Sequence, residues 1–201
     1  MADGKLIIFE GTDGAGKSTQ AKLLEGWLKE AGYDVVSTFE PTNGPIGQKI
    51  RSLYHNREQI SREEELELFI QDRKEHVEKL LKPSLASGKI VLCDRYYFST
   101  AAYQGALGFD VEEIIKRNSF APEPDMVLLF EIPVEVGRER IQKLRGESTN
   151  DFEKEEMLSK VNAIFKQLDY PFFRRINASQ SIEQTHQDIT RTVQELLNQR
   201  I

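Results

Sequence analysis

The stretch Lys5 to Leu24, KLIIFEGTDGAGKSTQAKLL, constrains the fold of this chain more than any other. Lys5–Glu10 is a short, mostly apolar run of the kind a buried strand needs. It leads into Gly11-Thr12-Asp13-Gly14-Ala15-Gly16-Lys17-Ser18, which has the full G-x-x-x-x-G-K-[ST] spacing. Gln20 to Leu28 then sets Ala21, Leu24, Trp27 and Leu28 at helical intervals. A strand, a glycine loop and a helix in that order aim backbone N–H groups at phosphate oxygens. The helix N-terminus adds orphan donors and the positive end of its dipole. Lys17 is placed to reach β- and γ-phosphates, and the Ser18 hydroxyl to hold Mg²⁺. A turn that merely joins strand to helix is the alternative, and both spacing and context argue against it. The expectation is a nucleoside triphosphate site.

At 201 residues the chain suits one α/β domain with a substantial core. Its net charge of −6 offers no general polyanion surface, so local basic residues must do any phosphate work. The lone cysteine, Cys93, excludes an internal disulfide and fits a reducing compartment. It lies inside Ile90-Val91-Leu92-Cys93, where a buried strand residue is expected rather than a reactive thiol. Met1 to Lys5 shows no export signal, and no apolar run approaches membrane-spanning length. A cytoplasmic protein without membrane or nucleic-acid partners is expected.

Further strands are predicted at Asp34–Phe39, Lys89–Asp94, Met126–Phe130 and Phe172–Ile176. Glu40-Pro41-Thr42-Asn43-Gly44-Pro45 is a turn-rich loop, followed by a short helix from Ile46 to about Tyr54. Ser61-Arg62-Glu63-Glu64 forms a capping box that opens a longer helix. Its apolar face runs through Leu66, Phe69, Ile70, Val77, Leu80 and Leu81, and Pro83 predicts a break or a new first turn. Asp110 and Glu113 cap a helix ending near Asn118, and Pro133 starts another through Leu144. Arg145 to Asn150 reads as a polar loop, Phe152 to Leu168 as a helix, and Ser181 caps a final helix. Strands alternating with helices predict a parallel sheet covered on both faces. Ligands then gather at the carboxyl ends of the strands, where Glu10, Phe39, Asp94 and Glu131 fall.

Three charged positions stand out. Arg73 lies on the apolar stripe, four residues from both Phe69 and Val77, so it faces inward. An unpaired charge there is costly, so either a carboxylate satisfies it or it faces a ligand. Phe69, on the same side of the helix, favours a flat heterocycle stacked on the ring and bonded by the guanidinium. Asp94-Arg95 closes a buried strand beside the glycine loop. The acid suits Mg²⁺ or its waters and the arginine a phosphate, against a plain surface ion pair. Asp13, an acid inside a phosphate cradle, needs another task, such as binding a hydroxyl.

With these residues in view, the chain resembles the thymidylate kinase family, nucleoside monophosphate kinases of the phosphate-loop class. The resemblance spans essentially the whole chain. It rests on FEGTDGAGKST (Phe9–Thr19), EPTNGPIGQKIR (Glu40–Arg51), LFIQDR (Leu68–Arg73) and DRYYFSTAAYQG (Asp94–Gly105). An RG…FE region (Arg145–Glu153) and NASQSIEQ (Asn177–Gln184) complete it. It implies a three-layer α/β/α P-loop kinase fold, one domain over 1–201, with a central parallel five-stranded sheet and a lid near 140–153. It also implies transfer of the γ-phosphoryl of ATP to dTMP with Mg²⁺, in a homodimer.

Residue by residue, the resemblance assigns ATP to Gly11 through Ser18 and to Thr19, and the metal to Ser18 and Asp94. Asp13 is similar to the acid that holds the 3′-hydroxyl of dTMP, Phe69 to the ring that stacks on thymine, and Arg73 to the arginine that bonds it. Arg95 is similar to the residue that binds the acceptor phosphate. Thr100 and Gln104 would lie at the base, and Tyr103 would crowd the sugar's 2′ position. Lys17, Asp94, Arg95 and Arg145 form the expected catalytic set.

The chain departs from many bacterial relatives at Thr38-Phe39, Asp151 and Asn162, where they carry arginine. It departs from eukaryotic members at Gly14, where those carry arginine. The lid's cationic contribution is then expected from Arg140, Lys143 or Arg145, a pattern of the prokaryotic kind. Two other readings remain: a kinase for another nucleoside monophosphate or a deoxynucleoside, and a non-catalytic ATP switch. The N-K-x-D guanine-reading motif is missing, and inward-facing Phe69 and Arg73 imply a second ligand pocket that a switch does not need.

Overall fold

The computed structural model describes residues 4–54, 60–145 and 151–198, with the side chains of 141–145 and 151–155 outside that description. The order is β1 (Lys5–Gly11), α1 (Lys17–Glu30), β2 (Val35–Phe39), α2 (Pro45–Leu53) and α3 (Arg62–His76). A π-helical turn (Val77–Leu81) joins α3 to α4 (Lys82–Ala86), followed by β3 (Ile90–Asp94), α5 (Tyr97–Ala106) and α6 (Val111–Arg117). Then come β4 (Met126–Glu131), α7 (Val134–Arg145), α8 (Asp151–Gln167), β5 (Phe173–Asn177) and α9 (Ile182–Asn198).

The five strands form one sheet in the order β2-β3-β1-β4-β5, and every pairing is parallel. The three central strands carry continuous apolar runs because both of their faces are covered. Leu6, Ile8, Val91, Cys93, Val127 and Leu129 pack on one side with Tyr96, Phe98, Val161 and Phe165. Ile7, Phe9, Ile90, Leu92, Leu128 and Phe130 pack on the other with Leu24, Leu28, Ile189 and Val193. Odd and even residues of each strand thus serve opposite layers, which fixes the register. Truncating a wholly buried residue such as Leu128 to alanine costs ~2–5 kcal/mol. The edge strands β2 and β5 mix buried with more exposed positions instead.

Two details place the site. Pro83 does not interrupt its helix. The rod runs on through the π turn into α4, and Pro83 sits at the first turn there, where its missing N–H is tolerated. The phosphate loop is braced from outside: a Cβ on Gly14, at φ +79°, would come 2.3 Å from the Gly137 carbonyl oxygen on α7. Only a residue without a side chain fits there. The chain winds first to one side of β1 and then to the other, so the carboxyl ends of β3, β1 and β4 frame a crevice. Among the described residues, no helix is long and apolar enough to cross a membrane.

Candidate active site

The glycine loop folds back on its own lysine. Lys17 is buried, and its ammonium donates to the carbonyls of Gly11 at 2.9 Å and Thr12 at 2.8 Å. Gly16, in the left-handed region, starts α1 and turns the first helical N–H groups toward the cradle. Burial pulls the Lys17 ammonium down to about 8, against the charges of Asp94, Asp13 and Glu10 that favour its charged form. Ser18 donates its hydroxyl to Asp94 Oδ2 at 2.5 Å. These are hard oxygen donors on two elements beside the cradle, the set that a small divalent cation with its waters takes.

A cavity of about 750 Å³ opens over this loop, lined by Asp13 to Gln20, Asp94, Arg95, Arg140 and the turn from Ala178 to Thr185. A second cavity of about 460 Å³ is lined by Phe69, Arg73, Thr100, Tyr103, Gln104 and Arg51 among others. Both cavities include Asp13 and Arg95. Arg95 stands at their junction in a left-handed backbone conformation, φ 71°. Its guanidinium donates to Asp13 Oδ1 at 2.6 Å and Ser99 Oγ at 2.8 Å and lies 5.1 Å above the Tyr103 ring. Burial works against its charge, but Tyr103, Asp13, Glu10 and Asp94 together hold the group firmly protonated.

Arg73 answers both readings at once: it has a carboxylate partner and it lines the second cavity. Its side chain is 1% exposed, and Nε donates to Glu40 Oε2 at 2.8 Å. Nη1 donates to Asn118 Oδ1 at 2.6 Å and Nη2 to Thr100 Oγ1 at 3.0 Å. Nη2 also lies 2.7 Å from Glu40 Oε2, so contacts among the described residues commit at most four of the five guanidinium donors, leaving one to face a ligand. Gln104 donates to Glu65 at 3.3 Å, and its buried oxygen has no partner among the described residues. The cavity therefore presents a spare donor, on Arg73, and a spare acceptor, on Gln104.

The remaining expected residues fall as follows. Gly14 to Thr19 line the larger cavity, and Phe69 lines the smaller. Phe39 is 42% exposed at the smaller cavity's rim. Asn162 donates to the Ile132 carbonyl at 3.4 Å instead of facing a phosphate. The side chains of Lys143, Arg145 and Asp151, and all of 146–150, lie outside the described residues.

Several residues to which sequence reasoning gave no role complete the site. Glu10, wholly buried, accepts from the N–H groups of Tyr96 at 2.9 Å and Ser99 at 3.0 Å and from the Ser99 hydroxyl. It thereby caps α5 from below and fixes the turn that carries Arg95. Burial pushes its carboxyl up to about 7, against the Ser99 hydrogen bonds and the Arg95 charge. Asp72 accepts from Thr42 N and Oγ1, both at 2.7 Å, and Arg51 donates to the carbonyls of Pro41 and Thr42. Glu40 and His76 sit behind Arg73. His76 falls three residues beyond Arg73 on the same helical stripe, and that spacing is its signal. Glu40, His76 and Cys93 bring potential metal-ligand atoms within 4.8 Å of one another. Both Glu40 oxygens are engaged, however, one by Arg73 and one by His76, so the cluster is a hydrogen-bonded network around the Arg73–Glu40 ion pair.

Comparison with known proteins agrees with this geometry. The sequence profile of the family described as Thymidylate kinase matches residues 9–189. The thymidylate kinase of Desulfotalea psychrophila is 66% identical over 194 residues, 96% of each chain. A probable thymidylate kinase of Pyrococcus horikoshii is 44% identical over 197 residues, covering 94% of this chain and 96% of that one. The thymidylate kinase of Xanthomonas euvesicatoria pv. vesicatoria is 47% identical over 176 residues, 88% of this chain and 77% of that one. A phosphate loop, two cavities joined at Asp13 and Arg95, and a match over most of its length place this chain in the thymidylate kinase family.

Proposed function

We infer that this protein transfers the γ-phosphoryl of ATP to dTMP, giving dTDP. The observation that carries the reading is the pair of cavities meeting at Arg95 and Asp13, one over the phosphate loop and one over Arg73 and Phe69. Two nucleotides laid in them put their phosphates together at the junction, where positioning does most of the catalysis.

The roles follow from chemistry. Loop N–H groups and Lys17 hold the donor's phosphates. Ser18 and Asp94 would hold Mg²⁺, whose charge supplements that of Lys17 on the phosphate oxygens. Arg95 binds the acceptor phosphate, exchanging its Asp13 contact for it, and Asp13 then becomes available to the sugar's 3′-hydroxyl. Phe69 stacks on the base, while the spare donor of Arg73 and the spare acceptor of Gln104 meet its polar edge. Thymine offers a carbonyl and an N–H on that edge, and cytosine offers the reverse. Tyr103, stacked under Arg95, crowds the 2′ position. Arg145, whose side chain lies outside the described residues, is assigned further positive charge for the transferring group, and 1–201 acts as one kinase domain. The same proposal includes a homodimer, which sedimentation tests, and a cytoplasmic location, which fits a single buried cysteine.

A coupled assay with dTMP, dUMP, dCMP and AMP tests the reading. ATP turnover should depend on the acceptor, with dTMP modestly ahead of dUMP and far ahead of dCMP. A missing methyl loses only ~1–3 kcal/mol, whereas a mismatched polar edge leaves buried groups unpaired. Equal turnover of dCMP and dTMP defeats the thymine assignment. Acceptor-independent hydrolysis defeats the kinase.

A further inference from the structure

Helix α3 grips the loop after β2 with three residues that are close in sequence. Asp72 takes Thr42, Arg73 takes Glu40, and His76 takes the other oxygen of that same Glu40. His76 is buried, with Nδ1 at 2.9 Å from Glu40 Oε1 and Nε2 at 2.8 Å from Thr38 Oγ1. A carboxylate oxygen only accepts, so Nδ1 is the donor, and the Thr38 hydroxyl holds the other ring nitrogen in place. Glu40 therefore has one oxygen fixed by His76 and the other against Arg73 Nε and Nη2.

This arrangement does something that the Arg73–Glu40 pair alone does not. A carboxylate held at one oxygen turns about its terminal bonds, and it then pulls Arg73 Nε against the frame that Asn118 and Thr100 give the two Nη atoms. A second fixed point on Oε1 sets the carboxylate plane, and that plane sets the edge of Arg73 that carries its uncommitted N–H. We propose that His76 is a positioning residue for base recognition, acting through Glu40 to aim Arg73 at the polar edge of the acceptor's base. The inference rests on Arg73 reading that edge, as assigned above. His76 itself has no place in the lining of the acceptor cavity, so its effect is indirect.

The test uses two acceptors of the same shape, dTMP and 5-methyl-dCMP, which stack alike and differ in the hydrogen-bonding edge. The ratio of their kcat/KM values is read on the full-length protein. His76→Leu, which fills the space but removes the donor, should raise KM for dTMP about tenfold with kcat within about threefold. It should also shrink the discrimination ratio about tenfold, a change that simple loss of stability does not produce. His76→Asn, whose amide nitrogen takes the place of Nδ1, should return the ratio to within about threefold of wild type. Should His76→Leu fail to fold, His76→Gln decides against His76→Asn, because it moves the donor away from Glu40; equal ratios in the two overturn the proposal. An unchanged ratio in His76→Leu overturns it too, provided Arg73→Lys collapses discrimination. If Arg73→Lys also leaves the ratio intact, the base-reading assignment fails first and the role of His76 falls with it.

Discussion

Two arginines serve the acceptor cavity, and they keep different company. The Arg73 side chain is 1% exposed and its partner Glu40 4%. The Arg95 side chain is 19% exposed and its partner Asp13 54%. Breaking a buried pair strands an uncompensated charge and costs ~3–5 kcal/mol, whereas a pair with a solvated member is worth ~0–1 kcal/mol. The Arg73 end of the cavity is therefore committed by its own ion pair, while Arg95 can change partners. Glu10 makes that exchange safe. It stays buried behind Ser99, so Arg95 keeps a fixed anchor when Asp13 lets go. Recognition by shape calls for a rigid arginine, and capture of a doubly charged phosphate for one that can release its partner.

The strongest way to break this contrast is Arg95→Ala. It should lower kcat/KM for dTMP by at least about 10³-fold with ATP affinity nearly unchanged, since it removes charge at the transferring group. A loss below about tenfold in steady-state kinetics would show that the junction is not the reaction centre. Next is Arg145→Ala, expected from its place before the polar loop to cut kcat about a hundredfold, with dTMP affinity and Tm preserved. Arg140→Ala and Lys143→Ala should lose less. A larger loss from Arg140, which lines the nucleotide cavity, would move the clamp back along α7.

Third comes Glu10→Gln, which probes the anchor through stability. Burial raises the Glu10 carboxyl from 4.5 to about 7, so the folded state favours its protonated form. Its contribution is complete below the unfolded value and is lost as pH rises through the folded one. Wild type minus variant stability should thus fall from pH 5 to pH 8, on the order of 2 kcal/mol by urea unfolding. A difference that holds or grows over that range rejects a raised carboxyl. The smallest effect belongs to Asp13→Ala, which should reduce the preference for dTMP over its 3′-deoxy analogue by about threefold to tenfold. If ATP binding weakens instead, Asp13 serves the loop and not the acceptor.

Local chemistry was legible in the sequence, and long-range chemistry was not. The glycine loop, the capping box at Ser61 and the apolar runs of β1, β3 and β4 each declare themselves within a few residues. Arg73 announced that it needed company, but Glu40 lies 33 residues away in a loop rich in turn formers, and nothing local marks it as buried. Glu10 read as the end of a strand because its partners, Tyr96 and Ser99, lie 86 and 89 residues on, in the turn and helix that follow β3. Pro83 is local too: its missing N–H predicts a break or a new first turn, and the chain takes the second at the start of α4, after a wide turn.

The close approach of Gly14 to Gly137 carries a consequence for how this lineage can vary. Two bare backbones meet there, so the phosphate loop and the root of α7 ride on each other like journal and bearing. Any side chain at position 14, a cation above all, would first have to lift α7 away from the loop. A side chain at position 14 and a helix seated against it are thus mutually exclusive solutions. Having taken the second, this chain leaves position 14 without a charge of its own. A single arginine graft at position 14 should jam the mechanism unless α7 is rebuilt with it.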